Sequence, residues 1–136
     1  MHIVAFNGES GTGKSTMARE LGARLTSRES SRQFQHEHFI RPIQKLLFAL
    51  FKYGEDRLDD LELYTELKKR NVGAGMTGRD AMVAAGRIVR ESNPSFFGDA
   101  MFERLVNIAD NRIIIIDDLG HMNELEALTM VVSARR

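Results

Sequence analysis

Residues 8–15 read GESGTGKS, a G-x-x-x-x-G-K-S pattern whose residue types and spacing suit the binding of phosphate groups. Glycines allow backbone conformations in which several N–H groups point at one anion, and the lysine brings a positive charge to the β- and γ-phosphates. The final serine offers its hydroxyl to Mg²⁺. The pattern therefore predicts a loop that binds a nucleotide with Mg²⁺. The predicted nucleotide-binding residues are Gly8, Glu9, Ser10, Gly11, Thr12, Gly13, Lys14, Ser15 and Thr16.

The segments on either side of this loop have the required character. The apolar run in residues 1–6 predicts a buried strand, and residues 14–27 repeat Met17, Leu21 and Leu25 at helical spacing. Strand, loop and helix follow in the order that a phosphate loop needs, and the positive end of the helix attracts the anion. The loop alone does not separate a kinase from a GTPase or a motor ATPase.

A second chemical signal follows the run of four isoleucines at residues 113–116. Consecutive β-branched residues predict a strand buried on both faces, as in a parallel sheet. Asp117 and Asp118 follow directly, where a carboxylate can hold Mg²⁺ beside a phosphate loop. The alternative is that these acids only begin a turn.

Composition limits the class of protein. A chain of 136 residues, 43% of them hydrophobic and 28% charged, predicts one domain over residues 1–136 with a buried core. Nineteen basic and nineteen acidic side chains cancel, which argues against a nucleic-acid partner. The lack of cysteine suits the cytoplasm, and no apolar run approaches the roughly 20 residues that cross a bilayer, so no membrane partner is expected.

The middle of the chain has helical periodicity. Pro42 begins a predicted core helix, in which apolar residues fall at i, i+3, i+4, i+7 and i+8. These residues are Ile43, Leu46, Leu47, Leu50 and Phe51. Residues 56–70 predict a second helix with a solvated charged face, and residues 72–78, with three glycines, predict a mobile connector.

Thr77 is the predicted N-cap of a helix that runs to about Glu91, and Asn93 begins the next helix. Residues 32–38 predict a short strand. After the two acids, we expect a short helix and then a strand around residues 128–132.

One edge of the helix after Thr77 is basic. At 100° per residue, with Arg79 at zero, Arg90 lies near 20° and Arg87 near 80°. The predicted buried arc, from about 180° to 300°, holds Ala81, Met82, Ala85, Ile88 and Val89. Gly86 lies between the basic edge and the buried arc, where a missing side chain would let a ligand approach. The alternative is a set of solvated arginines paired with neighbouring acids.

Several segments together resemble phage deoxynucleoside monophosphate kinases. Residues 79–90 (RDAMVAAGRIVR) and 93–97 (NPSFF) are similar to that family's R-x-L-M-Q-x-x-G-T-x-x-x-R and D-P-x-F-W segments. Residues 39–45 (FIRPIQK) are similar to its F-A-x-P-L-K. Residues 115–118 (IIDD) and 123–128 (NELEAL) are similar to its I-S-D-V-R-x-x-N-E-A-E-A-L. The resemblance covers nearly the whole chain in the family's order.

The resemblance implies transfer of the ATP γ-phosphoryl group to a deoxynucleoside monophosphate, with ATP and Mg²⁺ as cofactors. Its implied catalytic residues are Lys14, Arg79, Arg90 and Asp118, and its implied metal ligands are Ser15 and Asp118. Counting back from residues 123–128 selects Asp118 over Asp117. The implied acceptor-binding residues are Phe39, Pro42, Arg79, Gly86, Arg87 and Arg90.

The implied fold is α/β, a three-layer P-loop NTPase with a short parallel sheet and a helical insertion at about residues 39–111. The relatives continue into a lid and a last strand, and this chain ends about where the lid would begin. A partner subunit could complete the site, which leaves a homodimer open. A phage-encoded enzyme of this kind would act in the host cytoplasm.

Three positions depart from the family's pattern. Its lysine after the proline falls on Gln44, its arginine after the second acid on Gly120, and the threonine after its glycine on Arg87. We take as a hypothesis that Arg87 supplies the charge missing at Gly120, which unchanged turnover in an Arg87→Ala protein would contradict.

Other functions stay open. A non-catalytic or regulatory nucleotide-binding protein fits the loop, as does a small-metabolite kinase resembling dephospho-coenzyme A kinase. A GTPase would need an N-K-x-D motif, which the sequence lacks. His36 and His38 suggest a metal site, but no third ligand is evident beside them, so they are predicted to be ordinary polar positions of a strand.

Overall fold

A computed structural model describes residues 1–9, 11–28 and 33–135. The chain forms two compact units, one built from Met1–Phe39 with Phe97–Arg136 and the other from Ile40–Phe96. The fold is mixed α/β, as the sequence predicts. The second unit is shorter than the insertion expected at about residues 39–111, because residues 97–111 belong to the first unit.

Six α-helices and five strands lie in the described ranges. The helices are α1 (Lys14–Arg28), α2 (Arg41–Leu50), α3 (Leu61–Lys69), α4 (Gly78–Ser92), α5 (Phe96–Val106) and α6 (Met122–Ala134). The strands are β1 (His2–Asn7), β2 (Gln33–Glu37), β3 (Asn71–Gly73), β4 (Met76–Thr77) and β5 (Arg112–Leu119). Among these helices, none combines the length and the apolar character that a bilayer span requires.

The first unit contains a parallel three-stranded sheet in the order β1-β5-β2. The central strand, β5, holds the isoleucine run, and Ile114, Ile115 and Ile116 are fully buried. The prediction of a strand covered on both faces is therefore confirmed. The strand predicted at residues 32–38 is β2, although Arg32 lies outside the described residues.

Helix α1 packs on one face of this sheet. Its Ala18 is buried against Ile113 and Ile115, and partly buried apolar side chains surround these three. The surrounding residues are Val4, Phe6, Leu21, Leu25 and Phe34. In the register of the sheet, Phe34 aligns with Ile113 and His36 with Ile115. Because side chains alternate along a strand, the α1 face continues to Asp117 on β5, and His38 follows directly after the end of β2.

Helices α5 and α6 also belong to the first unit and meet at Gly98. A Cβ atom at Gly98 would lie 3.1 Å from the carbonyl oxygen of Asn123, so a larger residue would push the neighbouring backbone away by a few tenths of an ångström. Arg135 donates hydrogen bonds to the carbonyls of Leu105 and Val106, at 3.0 and 2.9 Å. It thereby satisfies acceptors that the end of α5 leaves open.

The second unit consists of α2, α3, α4 and a small hairpin. Helix α4 begins with a capping box, as predicted from Thr77. The Thr77 hydroxyl accepts a hydrogen bond from the N–H of Asp80, and the Asp80 carboxylate accepts one from the N–H of Thr77. Gly78 lies so close to α3 that an added Cβ would be 2.3 Å from the carbonyl oxygen of Leu67.

Two predictions for the second unit are wrong in detail. The connector at residues 72–78 contains an antiparallel hairpin, β3 with β4, because Ala74 and the glycines beside it take the positive φ angles of a tight turn. The helix expected over residues 56–70 is a 3₁₀ helix, Glu55–Arg57, followed by α3. Asp60 separates them because its carboxylate caps α3 at the N–H of Leu63, 2.9 Å away.

The strand expected around residues 128–132 is also wrong, because these residues lie inside α6. Their β-branched residues favour a strand, but Glu124, Leu128 and Val131 form a buried helical stripe. Glu124 also fixes the start of the helix. Its carboxylate accepts hydrogen bonds from the N–H groups of Gly120 and His121, at 2.9 and 3.0 Å.

The buried face of α4 is rotated from the predicted one. Its buried residues are Gly78, Met82 and Gly86, at about 260°, 300° and 340° on the same helical wheel, whereas Ile88 is exposed. The prediction that Ile88 is in the core is therefore wrong. The rotation brings the buried face closer to the arginine edge, and Arg90 is partly buried.

Candidate functional site

The loop at residues 8–15 connects the end of β1 to the start of α1. Gly11 and Gly13 have φ angles of +83° and +85°, which other residues rarely adopt. The Thr12 hydroxyl donates a hydrogen bond to the carbonyl of Glu9 at 2.8 Å, which braces the loop internally. Ser10, a predicted nucleotide-binding residue, lies outside the described residues.

Two further features of the loop suit an anion. The Lys14 ammonium group donates hydrogen bonds back to the carbonyls of Gly8 and Glu9, so its charge stays over the loop. Helix α1 begins at Lys14, and Ser15 and Thr16 follow in its first turn. The N–H groups of a first turn have no acceptor within the helix, and the helix dipole makes this end positive. The loop therefore presents positive charge and donors together.

Asp117 faces the start of α1 from the neighbouring strand β5. Its carboxylate is only 5% exposed, and the side chain of Ser15 lies close enough to help lower its pKa. Burial by itself would raise the pKa of Asp117. The adjacent imidazoles of His36 and His38 and the nearby Ser15 hydroxyl outweigh it and hold the pKa well below its usual range. Asp117 is therefore a buried, ionised carboxylate beside the loop.

Asp118, the acid selected from the family resemblance, has a different neighbour. Its Oδ1 atom accepts a hydrogen bond from the backbone N–H of Phe39 at 2.9 Å. Successive side chains of β5 point to opposite faces, and Asp117 takes the α1 face. The role of Asp118 as a metal ligand stays a prediction, and the contact with Ser15 favours Asp117.

Strand alternation could have selected Asp117 from the sequence. Asp117 falls on the same face of the strand as Ile113 and Ile115, because alternate residues share a face. Asp118 falls on the opposite face, with Ile114 and Ile116. The missing information was which face α1 covers, and that depends on packing between distant parts of the chain.

His36 and His38 lie against Asp117. His38 Nδ1 is 2.8 Å from Asp117 Oδ1, and His36 Nε2 is 3.5 Å from the same oxygen. The two imidazole rings are 4.5 Å apart between centroids. The interpretation of these histidines as ordinary polar positions rested on their spacing in a strand and on the lack of a third ligand, and the structure places a carboxylate oxygen of Asp117 beside both.

The predicted acceptor-binding arginines lie on α4 of the second unit. Arg79 is exposed, and Arg87 is exposed with its Nε atom 3.8 Å from the carboxylate of Glu91. Arg90 lies over Gly86, since a Cβ atom there would be 3.4 Å from Arg90 Nη1. The space left by the missing side chain of Gly86 is thus next to a guanidinium group, as the helical wheel suggested.

The remaining predicted positions divide between the two units. Phe39 is fully buried and lies two residues after the end of β2, in the first unit. Pro42 lies in the first turn of α2, in the second unit. Gln44, in the place of the family's lysine, is buried, and its amide donates a hydrogen bond to the carbonyl of Leu58 at 2.8 Å. Gln44 therefore holds the 3₁₀ segment against α2, which is a structural role.

No protein-family model, curated protein or solved structure matches this chain. Its function is therefore inferred from its residues and their geometry.

Proposed function

We propose that this protein is a P-loop kinase that binds ATP and Mg²⁺ at residues 8–15 and phosphorylates a deoxynucleoside monophosphate to the diphosphate. One observation carries the proposal. The glycine loop has positive φ angles at Gly11 and Gly13, lies between a parallel strand and a helix start, and places Ser15 against the buried carboxylate of Asp117. A structural turn needs no ionised acid at that point.

The donor half of the proposal assigns roles to the loop. Lys14 would exchange its hydrogen bonds to two loop carbonyls for bonds to the β- and γ-phosphates, and the first-turn N–H groups of α1 would bind the same anion. The hydroxyl of Ser15 and the carboxylate of Asp117 offer the oxygen ligands that Mg²⁺ prefers. When bound, Mg²⁺ neutralises charge on the phosphates during transfer.

The acceptor half rests on α4 and on the family resemblance. Arg79, Arg87 and Arg90 give the second unit a basic edge, and Arg90 lies beside the gap at Gly86. Guanidinium groups suit phosphate because they donate two parallel hydrogen bonds. In the reaction, an acceptor phosphate oxygen bonds to the γ-phosphorus and the bond to the ADP oxygen breaks. Positioning and charge neutralisation supply most of the catalysis.

The test is a coupled assay that detects ADP, run with ATP and each deoxynucleoside monophosphate in turn. Lys14→Ala is the control, because it removes the ammonium group and leaves the loop glycines. Diphosphate product with the wild type, and far less with Lys14→Ala, would support the proposal. ATP binding without diphosphate product from any of these acceptors would refute it.

The same assay separates the two alternatives. Dephospho-coenzyme A in place of the nucleotide acceptor tests for a small-metabolite kinase. Nucleotide binding without transfer to any acceptor would indicate a regulatory or non-catalytic nucleotide-binding protein. The glycine at position 120, where the family has an arginine, favours this second alternative.

A further inference from the structure

Three metal-ligating side chains converge at the carboxyl-terminal edge of the parallel sheet. His36 Nε2, His38 Nδ1 and Asp117 Oδ1 all lie within 4.8 Å of one another. The side chains of His36, His38 and Asp117 are 21%, 13% and 5% exposed, so the cluster is mostly shielded from solvent but reachable from it. Each of these side chains has lost most of its hydration, a cost that contacts within the cluster must offset.

The cluster follows from the sheet itself. Strands β2 and β5 are parallel neighbours, and their register aligns His36 with Ile115 on the face that α1 covers. Two positions further along β5, alternation returns Asp117 to the same face. His36 and Asp117 therefore lie on paired strands, and His38 follows directly after the end of β2.

A partner from α5 fixes the end of β2. Arg104 donates hydrogen bonds to the carboxylate of Glu37 at 3.2 Å and to the carbonyl of His38 at 2.8 Å. Because Glu37 lies between the two histidines, these bonds hold the backbone that carries both imidazoles. Outer partners of this kind orient metal ligands and tune their affinity.

We propose that His36, His38 and Asp117 bind a divalent transition-metal ion of the zinc class. Two imidazoles and one carboxylate suit Zn²⁺, Co²⁺ or Fe²⁺, whereas Mg²⁺ and Ca²⁺ prefer oxygen ligands alone. Ligands about 2.0–2.1 Å from a tetrahedral Zn²⁺ are roughly 3.3 Å apart. The 3.5 Å separation of His36 Nε2 from Asp117 Oδ1 is close to this value, and the 2.8 Å contact of His38 Nδ1 with the same oxygen would lengthen by about 0.5 Å. All three ligand atoms already lie within 4.8 Å of one another.

Three protein ligands leave a coordination position open, as in zinc sites that act on a water or a substrate. The proposal goes beyond nucleotide phosphorylation and does not require it. The two proposals share only Asp117, and metal binding can be measured without any nucleotide.

The experiment titrates the metal-free protein with Co²⁺ and follows its visible absorption, then adds Zn²⁺ as competitor. We expect one equivalent of bound Co²⁺, the spectrum of a tetrahedral or five-coordinate site, and full displacement by Zn²⁺. His36→Gln and His38→Gln should each weaken binding about tenfold or more. His2→Gln is the matched control, because His2 is exposed at the opposite end of β1.

A second measurement needs no variant, so it tests the proposal even if the substituted proteins fail to fold. The ring ¹⁵N resonances of His36 and His38 in the unmodified protein should shift on addition of one equivalent of Zn²⁺. Unshifted ring nitrogens, or a Co²⁺ affinity that neither His36→Gln nor His38→Gln changes, would overturn the proposal. Lys14→Ala should bind Zn²⁺ like the wild type, so a failed kinase assay and a failed metal site remain distinguishable.

Discussion

The backbone N–H of Phe39 donates a hydrogen bond to Asp118 Oδ1 at 2.9 Å, so the second of two adjacent acids ties the ends of β2 and β5 together. The first acid, Asp117, instead contacts Ser15 and two histidines. Neighbouring carboxylates on one strand thus face different groups. Their substitution is expected to have different effects.

The first prediction compares these two acids. Asp117→Asn should weaken the Mg²⁺-dependent part of ATP binding about tenfold or more, because it removes the charge beside Ser15. Asp118→Asn should change the Mg²⁺-dependent part of ATP binding by no more than about threefold from the wild type, a difference of less than 1 kcal/mol. Calorimetric titration with ATP, with and without Mg²⁺, measures both. Equal losses in the two variants would contradict the assignment to Asp117.

The second prediction concerns the buried carboxylate of Glu124. Glu124→Ala should lower the free energy of unfolding by about 1–3 kcal/mol, because the N–H groups of Gly120 and His121 lose their acceptor. Urea denaturation measures the change. Glu126→Ala is the matched control on the exposed face of α6 and should change stability little. A Glu124→Ala protein as stable as this control would rule out the capping role.

The third prediction concerns the capping box of α4. Hydrogen bonds from the Thr77 hydroxyl and the Thr77 backbone N–H lower the pKa of Asp80 below its usual value of 3.8. A pKa lowered in the folded state stabilises the fold above that usual value, and the stabilisation is lost as the pH falls through the lowered pKa. Asp80→Asn should therefore be less stable than the wild type at neutral pH, and the gap should close in acid.

Denaturation curves at neutral and at acidic pH measure that gap. When Asp80→Asn is introduced into a Thr77→Ser protein, which keeps the hydroxyl, the stability gap should persist. In a Thr77→Ala protein the gap should be smaller, and Thr77→Ala itself should lower the free energy of unfolding by about 1 kcal/mol through the lost cap. A stability difference between Asp80→Asn and the wild type that does not change with pH would show that the carboxylate charge plays no part.

The fourth prediction concerns the contact between α3 and α4. Gly78→Ala should destabilise the second unit by about 1–3 kcal/mol, because the new Cβ would lie 2.3 Å from the backbone oxygen of Leu67. Alanine's higher helix propensity does not offset this, since the backbone of α3 must move. Gly120→Ala is the matched control, because its Cβ would meet nothing closer than 3.9 Å. Thermal unfolding should separate the two variants, and equal midpoints would disprove the close approach.

Local rules predicted much of the fold. Thr77 caps α4 as expected, and the isoleucine run forms the central buried strand, because capping and β-branched runs act through neighbours in sequence. The hairpin at residues 71–77 was missed because its glycines signal a turn without showing that the flanking residues pair. Residues 128–132 lie inside α6 and not in a strand, because the helical spacing of Glu124, Leu128 and Val131 buries one face of the helix.

The candidate site was only partly predictable. The glycine loop is a local pattern, so the sequence alone predicts it. The choice between Asp117 and Asp118 depends on which sheet face α1 covers, and the partner of His36 and His38 lies on a strand about 80 residues away along the chain. Such contacts arise from tertiary packing, which spacing within one segment does not report.

The strand order also has a consequence for synthesis of the chain. β1 and β2 do not pair with each other in the three-stranded sheet, because β5 lies between them and begins only at Arg112. During synthesis, β1 and β2 therefore stay unpaired until β5 has been made. The second unit ends at Phe96, so it can fold before β5 is made. Unpaired strand edges promote aggregation, so we expect a nascent chain stalled before residue 112 to be the form that most needs a chaperone.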